Sequence, residues 1–241
     1  MEFNNMIDTV ICDDCLKITK DIPNESINLV VTSPPYNKGI NYNKYVDDIP
    51  EKEYQEWQIK VIQEMLRVLK SDGSIFYNHK SRIVDHNIIF PSWVFNFNVR
   101  QIIIWHKSGT PILSNIRFYP DTEYIFWITG YRKTPKFYRE RARYNNEVWH
   151  IRQAYEQQHP ATFPLGFVKN CIMATTDEND IVLDPFGGSG TTAVACKQLN
   201  RRYIITDISE EYCDVAKKDL SKTIIMPNDL RKVYTQDTFR I

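Results

Sequence analysis

At 241 residues, 42% apolar and 25% charged, the chain can bury one sizeable core and has none of the compositional marks of disordered, collagen-like or coiled-coil chains. Thirty Lys and Arg offset thirty Asp and Glu, so no overall basic field exists and a polyanionic partner would need a local patch. No apolar run approaches the roughly 18 residues of a membrane span, the first residues lack a basic-then-apolar leader, and five scattered cysteines do not make a disulfide framework.

These features predict a cytoplasmic protein without membrane contact, folded as a single domain over residues 1–241. Cys12-x-x-Cys15 lacks the second pair, or the His-x3-His, that a zinc site needs, so no metal is expected.

In chain order, Val10–Cys12 and Asn28–Thr32 are short Ile/Val runs of the kind that form buried strands. Asn37–Ile49 is polar with two tyrosines and reads as an excursion at the sheet edge. Pro50–Lys70 spaces Tyr54, Trp57, Val61, Met65, Val68 and Leu69 at three to four residues, which predicts an amphipathic helix ending at Asp72-Gly73. Ser74–Tyr77, Arg100–Trp105, Glu123–Ile128, Asp180–Leu183 and Tyr203–Thr206 are further strands; Thr191–Leu199 and Glu210–Leu220 are helices, the second capped by Ser209. Strands alternating with helices predict an α/β fold, a mainly parallel sheet with helices on both faces.

The strand ending at Asp184 runs into Gly188-Ser189-Gly190-Thr191-Thr192-Ala193, a G-x-G-x-x-A turn opening a helix, and Asp207 closes the next strand 17 residues after Gly190. Such a turn brings backbone close to a nucleoside-bearing cofactor, and the later carboxylate takes ribose hydroxyls. The charge of Asp184 beside the turn would repel a pyrophosphate and favour a cationic ligand, which selects S-adenosylmethionine over a dinucleotide. The bland alternative is a turn whose glycines serve packing alone.

Asn28–Thr32 ends abruptly in Ser33-Pro34-Pro35-Tyr36. Two prolines donate nothing to a ladder, so the sheet stops and carbonyls are left at the carboxyl end of the strand, where ligands bind in open sheets. Ser33-Pro34-Pro35-Tyr36 resembles the catalytic motif of the DNA amino-methyltransferases, and the resemblance implies an exocyclic amine as the target; conjugated with its ring, such an amine is a poor nucleophile. The Ser33 hydroxyl and the Pro34 carbonyl can accept its N–H bonds, and Tyr36 offers a ring to stack on an extruded base. A carbon-5 cytosine methylase would need a cysteine nucleophile after a proline, and no Pro-Cys pair occurs.

Ser33-Pro34-Pro35-Tyr36 together with Asp184-Pro185-Phe186-Gly187-Gly188-Ser189-Gly190-Thr191-Thr192 resembles the paired motifs of the beta-class DNA amino-methyltransferases, which methylate the exocyclic nitrogen of cytosine or adenine from S-adenosylmethionine. The resemblance implies a Rossmann-like methyltransferase fold with circularly permuted motif order. It implies catalysis by Ser33, Pro34, Pro35 and Tyr36, and cofactor contacts from Asp14, His159, Asp184, Phe186, Gly188, Gly190, Thr191, Thr192 and Asp207. It also places a target-recognition insertion at about 108–158. Serine at position 33 goes with cytosine N4 and aspartate there with adenine N6, so cytosine N4 is the expected target and adenine N6 the rival.

Tyr131–Tyr144 carries six basic residues, Arg132, Lys133, Lys136, Arg139, Arg141 and Arg143, against one Glu. The run reads either as a solvated basic face or, beside a base-methylating motif, as the anchor for the phosphates of double-stranded DNA. Two other readings stand against the enzyme: a catalytically inactive nucleotide- or DNA-binding module, and a Rossmann oxidoreductase. A partnered restriction endonuclease, as in restriction-modification systems, and a homodimer stay open.

Overall fold

A computed structural model describes residues 1–39, 41–42, 45–84, 86–107, 118, 120–152 and 164–227. The strands are β1 (Thr9–Cys12), β2 (Ile27–Thr32), β3 (Asn41–Tyr42), β4 (Tyr45–Val46), β5 (Leu69–His79), β6 (Arg82–Val84), β7 (Asn87–Ile89), β8 (Val99–His106), β9 (Thr122–Thr129), β10 (Val148–His150), β11 (Ile181–Asp184) and β12 (Arg202–Asp207). The helices are α1 (Phe3–Met6), α2 (Cys15–Thr19), α3 (Glu51–Val68), α4 (Leu165–Thr175), α5 (Thr191–Gln198) and α6 (Glu210–Lys222). Among these residues no helix is long and apolar enough to cross a membrane.

Eight strands form the main sheet in the order β1-β12-β11-β2-β5-β9-β8-β10. β1, β12, β11, β2 and β5 are parallel, β9 is antiparallel to β5 and β8, and β10 is parallel to β8. Every residue of β2 is buried, as a strand covered on both faces must be. One apolar cluster joins Leu29, Val31 and Phe76 to Phe167, Ile172 and Ala216; the other joins Val30, Ile75 and Tyr77 to Tyr54, Met65 and Trp93. The expected layering, a mainly parallel sheet between helices, is the one the chain adopts.

The chain leaves β2 through α3 towards β5 and leaves β11 through α5 towards β12, in opposite directions along the sheet. Between the carboxyl ends of β2 and β11 the strand order therefore reverses. Such a switch point opens a crevice with no crossover helix above it, and ligands occupy it.

Two boundaries differ from the sequence reading. Helix α3 stops at Val68 and β5 begins at once, so Asp72-Gly73 lies inside a strand and not in a turn. A Cβ at Gly73 would meet the Asn28 carbonyl oxygen at 2.8 Å, and the β2–β5 register shifts between Ile27 and Leu29 beside it. Glycine here permits close backbone approach. Within the window 108–158, β9 and β10 belong to the main sheet, so that window is not one continuous excursion from it.

Candidate active site

A cleft sits at the switch point, lined by both sequence motifs. Ser33, Pro34, Pro35 and Tyr36 form one wall; Pro185, Phe186, Gly187, Gly188, Ser189 and Thr191 form another. Asp13, Asp14 and Asp207 contribute carboxylates, and among the described residues no Lys, Arg or His lines the cleft. A pyrophosphate is disfavoured there and a cation favoured. Tyr45 stacks on Trp57 with ring centroids 5.3 Å apart, and Trp57 meets Phe186 edge-on at 5.6 Å, which gives the acidic cleft an aromatic side.

Asp207 ends β12 and faces the cleft. One of its oxygens accepts from the Gly188 amide at 2.9 Å and the other from the Ser209 amide at 2.9 Å. Burial raises its pKa, against the lowering effect of these bonds. Asp14 caps α2 by accepting from the Lys17 amide at 3.0 Å and also lines the cleft. The glycines act mainly through space. A Cβ on Gly187 would sit 2.0 Å from Ile205 Cγ2, and one on Gly190, whose φ is +87°, would sit 2.6 Å from Ala216 Cβ. Thus Gly190 lets α5 pack on α6, and Gly188, with φ of +50°, turns the chain along the cleft.

Asp184 corrects the sequence reading. It is 1% exposed and does not line the cleft. Its Oδ1 accepts from Thr32 Oγ1 at 2.9 Å and from the Phe186 amide at 3.1 Å, and its Oδ2 accepts from Thr192 Oγ1 at 2.6 Å. Burial raises its pKa to about 6 although these hydrogen bonds pull the other way. Asp184 and Thr192 fasten the turn to β2; the ligand-facing negative charge comes from Asp13, Asp14 and Asp207. His159, expected at the methionine end of the cofactor, lies outside the described residues.

Ser33 and Tyr36 belong to a buried hydrogen-bond chain. Ser33 Oγ lies 2.7 Å from Tyr36 Oη, Tyr36 Oη donates to Glu123 Oε2 at 3.1 Å, and Asn78 Nδ2 donates to Tyr36 Oη at 2.6 Å and to Glu123 Oε2 at 2.8 Å. Lys107 Nζ donates to Glu123 Oε1 at 2.8 Å and Lys80 Nζ lies 3.5 Å from the same oxygen. Burial alone would raise the Glu123 carboxyl; the charges of Lys80 and Lys107 and the bonds from Lys107 and Asn78 outweigh it and hold the group at about 2. The Tyr36 ring is 5% exposed, packs on His79 at 4.6 Å and carries Lys80 Nζ 5.1 Å from its centroid. Burial also pushes His79 down to about 3, so it is neutral.

The two proline carbonyls differ. That of Pro35 accepts from Tyr54 Oη at 2.8 Å. Among the described residues no donor occupies that of Pro34, whose residue lines the cleft. Cys15 also lines it, but burial raises its thiol to about 12, far from a reactive thiolate.

The basic run is not brought to this site. It leaves the end of β9 that pairs with Ser74, the edge of the sheet opposite the cleft. There Lys136 and Arg141 pair with Asp177 at 3.1 and 3.0 Å, Lys136 also approaches Asp180 at 3.5 Å, and Arg132 pairs with Glu25 at 2.8 Å. Lys133, Arg139 and Arg143 are exposed on the same segment. Even charge balance along the whole chain conceals which cations are already partnered, and a run in sequence does not show which edge it reaches.

Sequence reasoning passed over Asp13, Tyr45, Trp57, Asn78, Lys80, Lys107 and Glu123. A carboxylate opening the apolar strand Glu123–Ile128 was the available signal, since a strand this buried keeps a charge only when it is paired.

A sequence model of a family described as DNA methylase, covering N6 and N4 enzymes, matches residues 27–218. The type II methyltransferase M.BglII of Bacillus subtilis is 32% identical over 250 residues, spanning 86% of this chain and 67% of that protein. The DNA adenine methyltransferase YhdJ of Escherichia coli (strain K12) is 29% identical over 248 residues, spanning 90% of this chain and 84% of its own. Among solved structures, the cytosine-N4-specific PvuII DNA methyltransferase superposes with a TM-score of 0.75 at 21% identity, over 95% of this chain and 89% of that one. On the match of the family model across most of its length, and on the two motifs that meet in one cleft, this chain belongs to the N6/N4 DNA methylase family.

Proposed function

We propose that the chain is a site-specific DNA methyltransferase that uses S-adenosylmethionine and modifies the exocyclic N4 of cytosine in double-stranded DNA. The observation that carries this reading is the meeting, in one cleft, of an acidic, aromatic-walled half and the Ser33–Pro34 acceptor pair. Bound there, S-adenosylmethionine supplies a methyl group on a positively charged sulfur.

The residues present fit that group. Asp207 and Asp14 offer carboxylates to ribose hydroxyls or an ammonium, Phe186 and Trp57 offer ring surfaces, and Gly188 keeps side chains out of the way. Ser33 Oγ and the Pro34 carbonyl accept the two N–H bonds of the target amine, turning its lone pair out of conjugation and into the cleft. Attack of the amine nitrogen on the methyl carbon of bound S-adenosylmethionine would break the carbon–sulfur bond and release the neutral thioether, and the same two oxygens would stabilise the positive charge left on nitrogen. The surplus N–H proton would pass to water as the product departs. No covalent enzyme intermediate is needed, in keeping with the unreactive state of Cys15.

DNA meets the carboxyl edge of the sheet, where Lys38, Lys80 and Lys107 gather near Glu123. Adenine N6 is the second reading, favoured by the likeness to YhdJ; Ser33 in place of Asp favours cytosine. Sequencing methylated positions in DNA from cells that express the protein tests target base and context together. Modified cytosines in one recurring context are expected, and unmodified DNA would contradict the proposal.

A further inference from the structure

Two facts fix the direction of the proton chain behind Ser33. Glu123 is an ionised acceptor, gripped by Lys107 at 2.8 Å and by Lys80 at 3.5 Å, and it has no proton to give. The single Tyr36 hydroxyl proton is therefore directed to Glu123, and both Tyr36 Oη lone pairs are left to accept, one from Asn78 at 2.6 Å. The contact between Ser33 Oγ and Tyr36 Oη at 2.7 Å then has one consistent donor, Ser33, whose Oγ also accepts a long bond from Asn78 Nδ2 at 3.4 Å.

We propose that Glu123, clamped by Lys107 and Lys80, is a positioning residue for Ser33: acting through Tyr36, it draws the Ser33 hydroxyl proton away from the cleft and leaves Oγ as a pure hydrogen-bond acceptor for the target amine. This rests on the amino-methyltransferase reading above. It gives Ser33 a property that serine otherwise lacks, because a free hydroxyl donates as readily as it accepts. A base presenting a carbonyl at the same position would face an oxygen lone pair and be rejected; a base presenting NH2 would be gripped. It also explains why a buried carboxylate, the buried Lys107 and the half-buried Lys80 lie beside a motif that touches none of them in sequence. The chain polarises in one direction, from Ser33 through Tyr36 to the charge on Glu123, and the amine is bonded more tightly as its nitrogen becomes positive.

The test is single-turnover methyl transfer at saturating S-adenosylmethionine and DNA, for the wild type, Glu123→Gln, Tyr36→Phe and the double variant, with cofactor affinity measured by calorimetry. Each single variant should slow transfer by about 10- to 100-fold, the range of a hydrogen bond to a charged group. The double variant should be no slower than the slower single one, because both break the same chain. Affinity for S-adenosylmethionine should change by less than about threefold, since Glu123 does not line the cleft and Tyr36→Phe keeps the ring that does.

Lys107→Met provides a second, independent readout. Loss of its charge raises the Glu123 pKa, so an acid limb absent from the wild type should appear in the rate profile, with transfer falling as pH drops through the new value. If Glu123→Gln does not fold, Tyr36→Phe and Lys107→Met decide. Tyr36→Phe at the wild-type rate, losses that multiply in the double variant, or losses that follow cofactor affinity would overturn the positioning role. A wild-type protein that methylates no DNA would overturn the amino-methyltransferase reading instead.

Discussion

Thr32 Oγ1 and Asp184 Oδ1 lie 2.9 Å apart, joining the last residues of two neighbouring strands that are 152 positions apart in sequence. One strand continues into Ser33 and the other into the glycine turn, and the second Asp184 oxygen holds Thr192 at the start of α5. The two halves of the cleft are thereby held in fixed relation by one buried carboxylate. Asp184→Ala leaves two buried hydroxyls and the Phe186 amide without their acceptor, and should lower stability by about 1–3 kcal/mol in urea unfolding. An Asp184→Ala protein of wild-type stability with abolished cofactor binding would return Asp184 to the ligand.

The same group gives a pH dependence. Its folded pKa, about 6, lies above the unfolded value. The native state therefore holds the proton more tightly, and this contribution to stability is complete below the unfolded pKa and lost as pH rises through about 6. Between pH 7.5 and pH 5 the wild type should gain stability relative to Asp184→Asn, read as the difference in urea midpoints at each pH. A difference that does not change across this window would show that Asp184 is already ionised at low cost.

Cofactor selectivity should follow the three cleft carboxylates. Calorimetry is expected to show binding of S-adenosylmethionine and none of NAD, and Asp207→Ala should weaken the former by about 1–3 kcal/mol through loss of charge-assisted hydrogen bonds. NAD binding with no response to S-adenosylmethionine would contradict the assignment of the cleft.

Neutralising Arg139, Arg141 and Arg143 together should leave the salt dependence of DNA binding unchanged, because that segment lies at the far edge of the sheet and Arg141 already pairs with Asp177. Lys38→Gln, beside the catalytic motif, should shallow the slope by about one unit if it meets a phosphate. The reverse pattern would place DNA at the opposite edge.

Lys38 should also make DNA affinity sensitive to alkali. Desolvation of its ammonium by the surrounding chain, with repulsion from Lys80, brings it down to about 8 although the residue as a whole is solvent-exposed, so its charge is lost as pH rises past that value and DNA binding should weaken between pH 7 and pH 9. Lys38→Arg stays charged across the range and should flatten the dependence. Equal pH profiles for the two proteins would remove Lys38 from the DNA interface.

The sheet was legible because its strands are dense Ile/Val runs, and α3 because its apolar spacing leaves one face for burial. Both motifs were legible because glycine and proline carry backbone geometry in their identity. Asp184 misled because charge in a sequence does not reveal burial: the carboxylate that looked cofactor-facing is turned inward onto two threonines. Glu123 was missed for the complementary reason, that its significance comes from Lys80, Lys107, Asn78 and Tyr36, which only folding brings to it. Where the basic run sits was not legible, because its placement depends on the direction of β9, and antiparallel pairing there carries it away from the cleft.

The most direct test is nucleoside mass spectrometry of double-stranded DNA incubated with the purified protein and S-adenosylmethionine. N4-methylcytosine is the expected product, formed by the amine gripped at Ser33 and Pro34; N6-methyladenine would move the target to adenine while keeping the same acceptors. 5-Methylcytosine would contradict the mechanism outright, because that product requires a cysteine nucleophile at the base, and the one cysteine lining the cleft, Cys15, is held as an unreactive thiol.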